Sequence, residues 1–245
     1  MIIKEMGDAY KSKIYCVYSA TDLDKFKPQK PLDSIFSEYY LRNKIVIGTV
    51  GKFYPYKGFD YLINAISLFK NTDYSNKIVL LLVGPEIYEY TNQIYELIEN
   101  DDYLQSTVKI IGGKVDVQKY ISTFSFLVSP SISYEGVSGV VREAMAMKIP
   151  VICTTVGGNN EIAIDNITAK TVSPKNSFKL FNAMEWMINN LQSALIGEIK
   201  IKAFNLVKAN FSLQLKYNKV EDIYISATLC KNTINHFSEE MMSYG

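Results

Sequence analysis

Ile78 to Val83 reads IVLLLV, six consecutive apolar residues, and this run restricts the fold more than any other stretch. A strand with one solvated face alternates apolar and polar residues, so an uninterrupted run of this length fits a strand covered on both sides. It belongs to a series. Residues 45–51, 77–83, 108–111, 126–129, 150–154 and 169–172 all read as short β-rich runs. The segments between them carry helical periodicity, and such alternation is the mark of a parallel sheet flanked by helices. Residues 59–69, for example, put Phe59, Leu62, Ile63, Ile66 and Phe69 on one stripe. Similar patterns follow at 88–99, 117–123, 139–147 and 178–190, and 194–209 and 213–228 read as two closing helices. The expected fold class is therefore α/β, a Rossmann-like parallel sheet of about six strands with helices on both faces, plus C-terminal helices.

Composition removes several alternatives. An apolar share of 48% and a charged share of 21% are ordinary globular values, which excludes disorder and a coiled-coil rod. The 26 Lys plus Arg against 25 Asp plus Glu leave a net charge of +1, without the broad cationic field of a nucleic-acid binder, so no nucleic-acid partner is expected. No apolar stretch approaches the ~20 residues of a spanning helix, and the charged N-terminus is unlike a signal peptide. A cytoplasmic location is expected. Cys16, Cys153 and Cys230 are too few and too scattered for a disulfide framework or a zinc site and read as reduced thiols. His236, the one histidine, lies in the tail, which argues against histidine acid–base chemistry.

Along the chain, residues 1–43 stand outside the alternation and read as a connector. It contains Pro28, Pro31 and one strand-like piece at 13–19. Residues 44–210 form the α/β domain and 211–245 a C-terminal helix and tail. In open parallel sheets ligands bind beyond the carboxyl ends of the strands, and polar and glycine-rich loops gather there: Gly51-Lys52 and Lys57-Gly58, Gly84-Pro85-Glu86, Gly112-Gly113-Lys114, Glu135 to Gly139, and Gly157 to Glu161. Gly136, Ser138 and Gly139 precede an apolar helical run, so the amides of Ser138, Gly139 and Val140 should emerge at a helix N-terminus and seat a phosphate. Lys52 and Lys57 would neutralise a diphosphate there, and Glu135 and Glu143 would accept hydrogen bonds from hydroxyls on either side of it. Hydroxyls, diphosphate, hydroxyls is the layout of a nucleotide sugar.

Other motifs carry less. Asp22-Leu23-Asp24 has a metal-binding look but lies in the connector, and no metal site is expected. The G-x-G-x-x-G spacing of a dinucleotide site is absent. Trp186, with Phe181 and Met187, reads as core, while Glu161 either caps a helix or approaches the site.

Residues 129–162, SPSISYEGVSGVVREAMAMKIPVICTTVGGNNEI, resemble the signature of the GT-B fold glycosyltransferases of family 4, in particular their C-terminal donor-binding domain. Glu135 and Glu143 stand at its two glutamates, and residues 51–66 resemble its basic pair, with Lys52 where Arg is commoner. Lys148 stands where a Gly is usual. Residues 13–28 resemble the family's interdomain passage and 211–224 its C-terminal helix. The resemblance implies that Glu143 binds ribose hydroxyls, Glu135 the transferred sugar, and the amides near Gly136, Ser138, Gly139 and Val140 the phosphates. Val115 and Gly51 would fall near the bound donor. It also implies transfer with retention to a carbohydrate or lipid-linked acceptor, with no metal or other cofactor. The family's N-terminal acceptor domain has no counterpart in this sequence. The chain is therefore expected to need that domain or a partner subunit, through which peripheral membrane association would come. A donor-binding half of a split enzyme, a piece of a two-domain enzyme and a non-catalytic nucleotide-sugar module all stay open.

Overall fold

A computed structural model describes residues 14–113, 116–133 and 135–242, with the side chains of Tyr88 and residues 229–242 left aside. Among the described residues six strands form one parallel sheet: β1 (Ile45–Val50), β2 (Ile78–Val83), β3 (Val108–Ile111), β4 (Phe126–Ser129), β5 (Val151–Thr154) and β6 (Lys170–Val172). Their order is β3-β2-β1-β4-β5-β6, so the winding reverses between β1 and β4. Ile47 sits at that centre, opposite Leu80 on one side and Phe126 on the other.

Every residue of IVLLLV is buried, as a run with two covered faces requires. The faces separate by alternation. Ile47, Leu80, Leu82, Phe126, Val128 and Ile152 join one apolar layer with α2 (Phe59–Ser67), α3 (Tyr88–Glu99) and α7 (Ser177–Asn190). Val46, Val79, Leu81, Leu127, Val151 and Cys153 join the other with α6 (Gly139–Ala146). Helix α8 (Ala194–Asn210) serves both layers, through Ile196 and Ile199 in the first and Ala203 and Val207 in the second. Burial holds the Cys153 thiol up to about 12, so it is an inert core residue, while Cys16 is exposed. Cys230 and His236 lie outside the described side chains.

The six strands fall within one residue of their expected bounds. Two six-residue helices, α1 (Asp33–Glu38) and α4 (Asp102–Thr107), escape the sequence reading because neither is long enough to show a period. Residues 14–20 form no strand. A single parallel bridge joins Thr21 to Ser212, with the Thr21 amide donating to Phe211 O at 2.7 Å. The connector is also less loose than its prolines suggest, because Phe26, Ile35 and Leu41 are buried against the second face. A short five-residue helix, α5 (Val117–Ile121), precedes β4, and α9 (Leu213–Met242) continues past the expected 228.

Helix α6 ends in a Schellman motif: Lys148 N–H donates to Met145 O at 3.0 Å and Ile149 N–H to Ala144 O at 2.9 Å. Lys148 therefore adopts a left-handed φ of 58°, a conformation that favours glycine. A non-glycine residue there costs about 1–2 kcal/mol, offset in part by the Lys148 ammonium 5.1 Å from the Phe204 ring centre. We predict that Lys148→Gly stabilises the fold by about 0.5–1 kcal/mol in urea titration; an unchanged or lower midpoint would reject this account.

Candidate functional site

The loops leaving β1 and β4 meet at the point where the sheet winding reverses. After β1, the chain passes Gly51 and Lys52 and makes a 3-10 turn at Pro55–Lys57. Gly58 then takes a φ of 66°, and a Cβ on it would lie 2.4 Å from Pro130 O, so only glycine lets this loop rest on the β4 loop. Ile132 N–H donates to Tyr56 O at 2.8 Å and closes the contact. The result brings Lys57 onto Glu135: Nζ lies 2.8 Å from Oε2, with the two side chains 17% and 9% exposed. Ser131 Oγ donates to the same oxygen at 2.8 Å. Ser131 is itself fixed, its carbonyl accepting from Thr154 Oγ1 at 2.6 Å.

From the far side, the loop after β5 clamps the backbone. Gly157 has a φ of 52°, and a Cβ there would lie 1.8 Å from Glu135 O. Gly158 N–H donates to that same carbonyl at 3.1 Å. Asn159 is fully buried and accepts from Ser138 N–H through Oδ1 at 3.2 Å. This corrects one expectation, because the Ser138 amide is already engaged by protein. Ser138 is the N-cap of α6 and makes no side-chain cap bond. The amides of Gly139 and Val140 have no partner among the described residues, which leaves a first helical turn open to an anion. Gly136 is exposed, with nothing within 4 Å of where a Cβ would sit.

Glu143 lies one turn along α6, and its Oε1 is 3.9 Å from the Cβ position of Gly139, so the carboxylate stands over the open turn. It has no hydrogen-bond or ion-pair partner among the described residues. Burial pushes its pKa up, opposed by the charges of Arg142 and Lys25. Arg142 is buried beside the same turn, its Nη2 3.8 Å from the Cβ position of Gly139, while Nη1 donates to Ser19 O and, at 3.3 Å, to Thr21 Oγ1, and its guanidinium lies 5.8 Å from the Phe211 ring centre. It thereby ties the site helix to the segment at residues 19–21 and to the start of α9.

The structure thus pairs Lys57 with Glu135 and sets Glu143 beside Gly139 at the start of α6, four residues along the chain from Glu135. Lys52 is exposed at the end of β1 and forms no ion pair among the described residues, and Gly51 packs against the Lys57 stem, its Cβ position 3.6 Å from Lys57 Cε. Val115 lies outside the described residues. Glu161 neither caps a helix nor turns to the site: it accepts from the Tyr18 hydroxyl. Asp22 Oδ1 is engaged by the amides of Asp24 and Lys25, at 2.9 and 3.0 Å, as a turn cap. Trp186 packs on the core under Lys170, 4.9 Å from its ring. Sequence reasoning missed Ser131, Asn159 and Arg142. Asn159 lies inside a recognised loop and Ser131 just after β4, but their bonds depend on the path of those loops, and Arg142 looks like an ordinary solvated helix residue.

A doubly wound parallel sheet with an anion-ready helix start at its switch point defines a Rossmann-like domain of the kind found in GT-B folds. Residues 44–190 match the family model described as "Glycosyl transferases group 1", and this chain belongs to that family. It is 34% identical over 181 residues to an uncharacterized glycosyltransferase of Methanocaldococcus jannaschii, covering 71% of this chain and 48% of that protein. It is 30% identical over 189 residues to the capsular polysaccharide biosynthesis glycosyltransferase CapM of Staphylococcus aureus, covering 75% and 47%. In structure it is similar to Anabaena HepE solved in complex with UDP, with a TM-score of 0.81 and 20% identity over 91% of this chain and 60% of that one. The chain spans about half the length of the curated relatives it matches. No helix among the described residues is long and apolar enough to cross a membrane.

Glu143 generates a stability prediction. An acid whose folded pKa is raised above its unfolded value adds stability at low pH that is lost as pH rises through the folded pKa. Glu143→Gln should therefore melt a few degrees above the parent at pH 7, with the gain shrinking toward pH 4. Equal melting temperatures across that range would show that the carboxylate is not under desolvation stress.

Proposed function

We propose that this chain is the donor-binding part of a glycosyltransferase. In this reading it holds a nucleoside diphosphate sugar while the glycosyl group passes, with retention, to a hydroxyl of a carbohydrate or lipid-linked acceptor. One observation carries the reading: a lysine, two carboxylates and an uncapped helix start stand together at the reversal of the sheet. The family membership and the UDP complex of HepE support the same ligand class.

Each group has a task fitted to its chemistry. The Gly139 and Val140 amides donate to the phosphates, where the helix dipole favours negative charge. Glu143 accepts from a vicinal diol, the ribose. Glu135 accepts from hydroxyls of the transferred sugar. As the bond from the anomeric carbon to the diphosphate breaks, the diphosphate departs with the electron pair. Lys57 and Lys52 meet that growing charge, so the transfer needs no metal or other cofactor in this reading. The acceptor hydroxyl bonds to the anomeric carbon on the face the diphosphate leaves, as retention requires, and its proton passes to the departing diphosphate oxygen. Acceptor positioning and exclusion of water come from an opposing wall, either an N-terminal domain or a separate subunit, which would also supply any contact with a membrane.

A thermal-shift panel of UDP, GDP and ADP sugars tests the reading. A true donor at 100 times its Kd stabilises by about 2.7 kcal/mol. Glu143→Ala should abolish the response, and Lys57→Ala should weaken the parent nucleoside diphosphate by about 10–100-fold, the range for a lost charged hydrogen bond. A panel without any response would overturn the assignment.

A further inference from the structure

Lys57 Nζ and Ser131 Oγ both reach Oε2 of Glu135, each at 2.8 Å. Oε1 has no partner among the described residues, so one oxygen of the carboxylate is held and the other is open. The two partners differ in what ligand binding does to them. Lys57 is a cation at the end of a flexible side chain, and a diphosphate arriving at the α6 start competes with Glu135 for it. Ser131 has no such competitor. It is 1% exposed, and its backbone is pinned by Thr154 Oγ1 and by the meeting of the β1 and β4 loops.

We propose that Ser131 is the positioning residue for Glu135. It keeps the carboxylate in place with Oε1 directed to the sugar while Lys57 turns toward the diphosphate. The inference rests on the donor-site reading above and deepens it. Sequence pattern alone does not suggest this role, since a serine four residues before the glutamate could equally cap the loop or face solvent. A neutral hydroxyl suits the task because it donates to the carboxylate without drawing on the charge that Lys57 carries to the phosphates.

The test is calorimetric titration of the whole chain with three probe pairs: UDP and UDP-glucose, GDP and GDP-mannose, ADP and ADP-glucose. The readout is the ratio of sugar-nucleotide affinity to nucleoside-diphosphate affinity for the pair that binds. Ser131→Ala is expected to lower this ratio by about tenfold, the loss of one hydrogen bond to a charged group. Ser131→Cys keeps the volume but donates poorly and should lower it as much, whereas a packing role would be rescued by Cys. Far-UV circular dichroism and melting temperature establish that each variant is folded. Glu135→Gln separates the two layers of the argument. If it lowers the ratio while both Ser131 variants keep it, Ser131 is not the positioning residue and the donor-site reading stands. If neither it nor the serine variants change the ratio, or if no probe binds, the reading beneath the proposal fails and the proposal with it.

Discussion

The structure around the site depends on one close approach, the β1 loop lying directly on the β4 loop at Gly58 and Pro130 O. That contact brings Lys57 within 2.8 Å of Glu135, residues 78 positions apart in sequence. An ion pair between side chains only 17% and 9% exposed is held in a desolvated setting, where removing one partner leaves an uncompensated charge. Ser131 shares the carboxylate, donating to the same Oε2 at 2.8 Å. The loop geometry thus gives Glu135 two donors, a lysine and a hydroxyl, on one oxygen.

Helix α6 is the second organising element. Its N-terminus is uncapped by Ser138 and open at Gly139 and Val140, and Glu143 overhangs that opening. Beside that opening Arg142 joins α6 to residues 19–21 and to Phe211. The segment before the sheet and the segment after α8 are therefore both fastened to the helix that forms the candidate anion seat. A fixed helix is what a pre-aligned set of amide donors requires, since donors that must reorganise as charge develops stabilise it less.

Much of this was legible in the chain. The strands could be read because uninterrupted apolar runs have few interpretations; Glu135, Lys57 and the glycines stood out because they cluster in loops at strand ends, and Glu143 because it follows one of those loops at the start of a helix. Less legible were the partners of those groups. The Ser138 amide looked like a phosphate donor until the loop from Gly157 carried Asn159 beneath it. Residues 14–20 looked like a strand because they are largely apolar and β-prone, but pairing needs a neighbour, and the nearest bridge is made by the next residue, Thr21, to Ser212. Short helices such as Asp33–Glu38 have no period to read, and they form because Ile35 and the nearby Leu41 find a sheet face to cover.

The sequence by itself determined the class of fold, the residues capable of the chemistry and the loops that bear them, because patterning and residue type are local properties of a chain. Only the tertiary structure decided which oxygen of Glu135 is held and which is open, which amides of α6 remain unclaimed, and that Arg142 is a buried fastening rather than a surface charge. Those are questions of who meets whom across separations of 20 to more than 100 residues. The answer depends on backbone packing to within an ångström, which no local pattern encodes.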